Sequence, residues 1–435
     1  MGLEQELFLV DEDGVLSNRA DEFLARCRET AKREGRDPGG YAPECARSMV
    51  EINTPPVYSL AELAHEYLSS LALALDAGRE LGLRLYPLAT YPLRVEPAIR
   101  VEPHYQIQAR ALGHARFAHA GRCAGVHLHL EVAEGAIDPR TGVSYGSGEA
   151  TREELLSLYN LATAFDAALI ALTRSCPFYE GIADGTAART AVYRGDPEIA
   201  PHGLYARHQE VGGLLPYASS VEELVEQQFA RYHAWLGTLD RAGVERRLFF
   251  QMGGGLLEAS SWNPVRLNRH GTVELRGIDS NFPETVLATS ALVSGAADRV
   301  RRERLEIIPL EGSHVFETSG EALFVPGFGY LNGELFRAAM IEGTGSPEII
   351  SYLDSVLGFS AADAESSFEA FRVGGGYRTT EARLLQTFDF PGSSIPDEEG
   401  LRLVREACDE LERQVMMLRR ESGATKAARA GADGD

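Results

Sequence analysis

The sequence predicts an α+β fold, built as a large, mostly antiparallel sheet with long helices packed on one side. Short runs alternate apolar and polar residues with the period of two that a half-buried strand requires. Longer runs repeat their apolar residues at helical spacing. The two kinds of element do not alternate regularly along the chain, which disfavours a doubly wound parallel sheet.

Taken in order, Glu6 to Val10 reads as a strand, ended by the turn residues Asp11 to Gly14. Ser48 to Asn53 is a second strand, stopped by Thr54-Pro55-Pro56. Leu60 to Leu81 has helical spacing, with Ser59 as N-cap. Gly125 to Val132 alternates strictly and reads as a strand. Thr151 to Thr173 is a long apolar helix opened by the capping box Thr151 and Glu154. Ser220 caps a helix to Leu239, with Glu223 three residues on. Thr272 to Ile278 is a strand, and Pro283 to Arg302 a helix. Pro396 to Arg420 is a terminal amphipathic helix. No internal repeat or linker divides residues 1–395, so they form one domain on which residues 396–420 pack. Residues 421–435, small, polar and rich in Ala and Gly, read as a disordered tail.

Composition excludes several kinds of chemistry. The chain has 435 residues and a net charge of −22, and 44% of its residues are apolar. That mix suits a soluble globular core. No run of about 18 apolar residues suggests a membrane span. The start has neither a basic nor an apolar leader, and Glu6 stands where myristoylation would want Ser or Thr. Five cysteines without C-x-x-C spacing fit free thiols in a reducing cytoplasm. The acidic surface repels polyanions, which excludes nucleic acid as a partner. Of 42 basic residues all but Lys32 and Lys426 are arginine. Schiff-base chemistry and the P-loop both need a site lysine, and no P-loop motif is present.

The alternating strands also carry the chemistry. Residues i and i+2 of a strand share one face, which pairs Glu4 with Glu6 and Glu274 with Arg276, and aligns His127, His129 and Glu131. Glu51 stands alone on its strand, with Glu44 upstream. Taken singly, each such residue is what the wet face of a half-buried strand displays. Converged, they would form a cluster of carboxylates that repel one another unless a cation lies between them. Oxygen-rich ligands favour Mg²⁺ or Mn²⁺. Nearby arginines suit an anionic phosphate or carboxylate.

Five segments in order, Gly2-Leu-Glu-Gln-Glu6, Glu51-Ile-Asn-Thr-Pro55, Gly125-Val-His127, Ser175-Cys-Pro-Phe178 and Gly271 to Asp279, resemble the glutamate–cysteine ligase family, and its bacterial carboxylate–amine ligase branch most closely. The resemblance implies a glutamine-synthetase-like catalytic domain that binds ATP and metal ions on the concave face of its sheet. It implies an ATP-dependent ligase joining the γ-carboxylate of glutamate to an amine such as cysteine, through an acyl phosphate, in glutathione biosynthesis. Matched position by position, Glu4, Glu6, Glu51, His127 and Glu274 are the metal-binding residues, and Glu44 lies near a further acidic position. Arg276, and Arg266 in the segment Trp262 to Arg266, would face the reacting groups. Phe178, Gly185 and Arg189 would shape the substrate pocket. Tyr91 replaces a histidine frequent in relatives, and His104-Tyr105 replaces Arg-Tyr. The expected partners are small molecules, in a cytoplasmic protein that could form a homo-oligomer. Two rival readings stay open. One is a zinc hydrolase using His127, His129 and Glu131 with Glu51 as base. The other is a non-catalytic relative that binds a nucleotide or an amino acid.

Overall fold

The computed structural model describes residues 1–138, 148–256, 259, 262–312, 315–360, 365–388 and 392–432. Its main sheet has seven strands: β1 (Gly2–Asp11), β2 (Tyr41–Pro43), β3 (Met49–Asn53), β4 (Leu83–Tyr86), β5 (Gly125–Glu131), β6 (Val265–Asn268) and β7 (Thr272–Asp279). They run in the order β2-β3-β1-β5-β7-β6, with β4 pairing the far end of β1. These pairings are antiparallel throughout.

Alternation divides the sheet into two faces. Leu3, Leu7 and Leu9 of β1 lie with Val50, Ile52, Val126, Leu128, Val273 and Leu275 in one buried core. Long helices cover that face: α1 (Ala20–Arg33), α2 (Leu60–Leu81), α3 (Glu149–Thr173), α4 (Val221–Arg241), α5 (Pro283–Glu303), α6 (Pro347–Ser360) and α7 (Asp397–Ala432) all contribute buried side chains to this core. Gln5 is the polar intruder. Its amide is satisfied by the Tyr67 hydroxyl, Ser280 and the carbonyl of Asn281, so burial leaves none of its groups stranded.

Ser59 and Ser220 accept from the backbone N–H groups of Glu62 and Glu223, as N-caps do. The capping box expected at Thr151 does not form. α3 begins at Glu149, so Thr151 lies inside the first turn, and Gly148 at the N-cap has no side chain to offer. By length and composition α3 could cross a membrane, yet 89% of its apolar window is buried inside the protein, where it serves as a core helix.

α7 docks on β4 through Arg84, which reaches Asp409 at 2.6 Å and Glu412 at 2.9 Å. It continues to Ala432, into the stretch read from sequence as a tail. Ala, Arg and Lys favour helix intrinsically. A small second sheet, β8 (Glu306–Leu310), β9 (Glu317–Ser319) and β10 (Ala322–Pro326), was not foreseen. Its strands are short and lack alternation.

Two further apolar clusters flank the sheet. Phe8, Tyr86, Phe178 and Phe282 close one end. Tyr205, Trp262, Phe117 and residues of α4 form the other, which also takes in Cys45. All five cysteines are buried free thiols.

Candidate active site

Cross-strand partners point to the same side of a sheet, so register decides which of the predicted residues meet. Glu6 stands opposite Glu51, and Glu4 opposite both Asn53 and His127. His129 stands opposite Gly2 and Glu274, and Glu274 opposite Arg266. Five strands therefore bring Glu4, Glu6, Glu51, His127, His129, Glu274 and Arg266 onto one face. Between Val126 and Leu128 the β5–β7 register shifts, so that Arg276 and Gly277 together face His127. Such a bulge re-aims a side chain. It leaves Arg276 Nε 2.9 Å from Glu274.

The face has an acidic half and a neutralised half. In the acidic half, Glu6, Glu51 and His127 bring potential ligand atoms within 4.8 Å of one another. One oxygen of each carboxylate is already held: Glu6 Oε2 by the N–H of Gly125 at 2.6 Å, Glu51 Oε1 by the Asn53 amide at 2.8 Å. Glu44 joins them, with one oxygen held by the N–H of Cys45 at 3.0 Å and its carboxyl in hydrogen-bond reach of Glu51. Burial, and then the charges of Glu6 and Glu51, push the Glu44 carboxyl well above the usual range. Burial and Glu4 raise Glu51 to about 7, against the opposing pull of His127. Nε2 of His127 is buried without a hydrogen-bond partner, 3.5 Å from Glu6 Oε1. Carboxylates crowded to this degree, with a bare imidazole nitrogen beside them, fit a hard divalent cation.

In the other half Glu274 is saturated with donors. Arg266 Nε lies 2.7 Å and the Asn268 amide 2.6 Å from its Oε2, while Arg276 Nε approaches Oε1. Burial alone would raise Glu274, but Arg266 and then Arg276 hold it well below the usual range. Glu4 behaves alike: burial raises it, but the hydrogen bond of His127 and the nearby His129 ring, 3.2 Å away, outweigh that and keep it low. Glu274 can reach a cation only by sharing oxygens that two guanidinium groups already occupy. Glu4, His127 and Glu274 likewise bring potential ligand atoms within 4.8 Å of one another. The metal-ligand set read from the sequence thus falls into two groups that share His127: Glu6 and Glu51 with Glu44 beside them, and Glu4 with Glu274, whose oxygens also meet histidines or guanidinium groups.

The three pocket residues fare differently. Arg189 is buried beside the face, donating to the carbonyl of Arg276 at 3.3 Å and standing 3.9 Å from Asp279. Its guanidinium and that of Arg276 both lie over the Trp262 ring. Phe178 instead fills the apolar cluster with Phe8 and Tyr86, away from the carboxylates. Its backbone carbonyl, not its ring, does polar work by accepting from Thr90. Gly185 is an exposed turn residue at φ +84°, and its carbonyl accepts from Arg174. Glu131 is exposed at the end of β5 and does not join the ligand cluster. The zinc set of His127, His129 and Glu131 is therefore not assembled among the described residues.

Sequence reading missed Asn53, Asn268, Asp279 and an aromatic wall. Asn53 and Asn268 stand at i+2 from Glu51 and Arg266, the spacing that located the carboxylates, so the same rule would have found them. Trp262, Tyr193 and Tyr205 contact one another with ring centroids 4.9–6.1 Å apart. No local sequence pattern announces that wall.

An antiparallel sheet thus presents crowded carboxylates, a buried histidine and paired arginines on one face, a set of groups whose chemistry suits a divalent cation and an anionic group. A sequence profile of glutamate–cysteine ligase family 2 matches residues 1–315, and the chain belongs to that family. A protein of Frankia alni, provisionally named glutamate–cysteine ligase 2-2, is 26% identical over 230 residues, 49% of this chain. That match spans about half of the Frankia protein, 55% of its length. The glutamate–cysteine ligase of Halobacterium salinarum is 25% identical over 295 residues, 66% of each chain. Among solved structures, the glutamate–cysteine ligase of Francisella tularensis in complex with AMP superposes with a TM-score of 0.53. It covers 99% of this chain and 93% of its own at 12% identity, a likeness of fold.

Proposed function

We propose that this chain is an ATP-dependent ligase that joins the γ-carboxylate of L-glutamate to an amine, cysteine first among them. The observation that carries the reading is the split face: Glu6, Glu51 and His127 with Glu44 beside them on one side, Arg266 and Arg276 on the other. Family membership supports the ligase class, and AMP in the Francisella complex supports an adenine nucleotide as co-substrate.

Glu6, Glu44, Glu51 and His127 would hold Mg²⁺ or Mn²⁺. Such an ion supplies positive charge to the phosphates of bound ATP. Arg276, over Trp262 and beside the bulge, is placed to stabilise charge developing on the transferring phosphoryl group, with Arg266 next to it. Glutamate's γ-carboxylate attacks the γ-phosphorus, ADP leaves, and an acyl phosphate results. The amine then attacks the acyl carbon and phosphate departs. No protein nucleophile is needed, so these residues act through placement and charge. The buried free thiols support a reducing cytoplasm.

The test is ADP formation with Mg²⁺, glutamate and a panel of amines, with products identified by mass. Glutamate- and amine-dependent ADP release, with a product heavier than glutamate by the amine less water, is the expected result. ATP binding without turnover under every amine would favour a non-catalytic relative. Turnover with zinc and without ATP would favour a hydrolase.

A further inference from the structure

Four arginines on one flank of the site carry charge that no carboxylate meets. The helix Pro103–Leu112, the short helix His114–Phe117, residues 201–208 and the end of α4 pack together there, around the apolar cluster that also holds Tyr205 and Trp262. Arg110 donates to the carbonyl of Gly243 at 2.8 Å. Arg116 donates to the carbonyls of Gly203 at 2.6 Å and Pro201 at 3.0 Å, which ties the short helix to residues 201–208. Arg241 donates to the Thr238 hydroxyl, and Arg207 is exposed. Among the described residues none of the four makes an ion pair with a carboxylate. Arg122 differs, because Glu96 and Glu180 both stand 3.1 Å from it.

A carbonyl or hydroxyl that accepts from a guanidinium leaves its positive charge uncompensated. The neighbouring histidines respond to that field. Burial, and then Arg241, push His208 down, with Arg116 and Arg207 adding to the effect against Glu210. Burial, and then Arg122 and Arg116, push His119 down to about 4. The flank adjoins the reacting groups through one ring: Tyr205 stacks on Trp262 with centroids 6.1 Å apart, and Trp262 lies against the guanidinium groups of Arg189 and Arg276. The molecule as a whole has the opposite sign, with a net charge of −22. A nucleotide triphosphate is also an anion, so the average charge of the protein repels it.

We propose that Arg110, Arg116, Arg207 and Arg241 form a positive flank that steers the phosphates of a nucleotide to the site, against the charge of the whole molecule. They act at a distance and touch no reacting atom. Locally focused fields of this kind raise association rates, and salt removes the gain. The choice of a nucleotide rests on the ligase reading above. The field at the flank does not.

Two measurements on the full chain test it. The first reads the field. A neutral fluorophore is attached at Ala115→Cys, exposed between His114 and Arg116, or at Ser351→Cys, exposed on α6. The five native thiols are buried. At low ionic strength iodide, relative to neutral acrylamide, should quench the label at position 115 at least roughly threefold better than the label at position 351, the ratio that one kT of potential gives. In about 1 M salt, where the screening length falls to about 3 Å, the difference should vanish.

The second measurement reads the consequence. Association of N-methylanthraniloyl-ATP is followed by stopped flow at fixed Mg²⁺, with N-methylanthraniloyl-adenosine as the uncharged control. The rate constant for the triphosphate should fall as salt rises, whereas the net charge alone predicts a rise. The adenosine rate should stay level. Arg207→Glu should slow association by about threefold or more at low salt, flatten its salt dependence and leave dissociation unchanged, as loss of a charge outside the contact does. Arg207→Gln should fall between Arg207→Glu and wild type.

Equal iodide quenching at the two labelled positions would overturn the proposal. So would triphosphate association that speeds up with salt, or that falls with salt as steeply in Arg207→Glu as in wild type. Either result with tight nucleotide binding refutes steering alone. A protein that binds neither nucleotide refutes the ATP reading and, with it, steering.

Discussion

A Cβ built on Gly125 would lie 2.2 Å from Nη2 of Arg189, so the glycine and the guanidinium share one volume. The same glycine donates its N–H to Glu6. One residue thus joins the acidic half of the site to the arginine on its flank, and each duty demands a different property. The missing side chain admits Arg189, and the fixed backbone holds Glu6. Gly125→Ala should displace Arg189 and cost about 1–3 kcal/mol, as overpacking does. In the background of Arg189→Ala the same substitution should cost clearly less, because the clash is gone. Thermal unfolding of the four proteins of this cycle measures the coupling. Additive penalties would mean that the strand, not Arg189, resists the methyl group.

Glu274 and Glu51 should respond in opposite ways to loss of charge. Glu274 is buried and compensates two guanidinium groups. Glu274→Gln leaves Arg266 and Arg276 facing each other without it, and breaking a buried pair in this way costs roughly 3–5 kcal/mol. Burial, and then like charges led by Glu4, raise the Glu51 carboxyl. Glu51→Gln should therefore leave the melting temperature of the metal-free protein unchanged or higher. It should also abolish stabilisation by added Mg²⁺ and lower turnover by at least about 100-fold. Equal melting temperatures for both variants would refute the division of the face into two halves.

The carboxylates were legible because alternation on a strand is a property of the chain alone, and Glu4, Glu6, Glu51 and Glu274 all obey it. What each carboxylate does was not legible. The neutralisation of Glu274 depends on β6 lying beside β7 in one register, and β6 has only four residues. Glu4 looked like Glu6 in the sequence, yet the two differ in whether a histidine faces both oxygens. Phe178 was assigned to the pocket through its place in a recognisable segment. An aromatic side chain in a loop gives no local sign of which way it turns, and here the core takes it. The long helices were legible almost to the residue where Ser59 and Ser220 cap them. α3 began early because a glycine cap leaves no such signature.

Asp279 makes stability depend on pH with a definite sign. Burial raises its carboxyl from 3.8 to about 7, although Arg189 pulls the other way. In the unfolded chain the group loses its proton near the lower value, and in the folded protein near the upper. Between them the folded state binds more protons, so this residue's contribution falls as pH rises through the window and is level on either side. Asp279→Asn removes that contribution. Urea unfolding of the metal-free proteins across the window should show stability falling with pH more steeply in wild type than in the variant. Parallel curves would show that Asp279 ionises in the folded protein as it does in the unfolded chain.

The last expectation concerns substrate choice by the proposed ligase. The guanidinium groups of Arg276 and Arg189 both lie over Trp262, and that of Arg189 also over Tyr193, so with Tyr205 an aromatic wall flanks them. Such a wall reads size and apolar surface, and a pocket of that kind separates substrates by only about 1–3 kcal/mol per methylene. Cysteine should serve as the amine, and 2-aminobutyrate, similar in size but without the thiol, should fall within roughly 100-fold of it in kcat/KM. Glutamate should be much harder to replace. Its α-carboxylate and α-amine would be met by buried charged groups, and a shorter acid would leave those groups unpaired at the full cost of their desolvation. Competitive turnover with both amines present, and with aspartate offered against glutamate, measures the two preferences. Aspartate used as readily as glutamate would refute recognition of the acid by fixed charges, and a cysteine preference far beyond 100-fold would require a thiol contact that the wall does not supply.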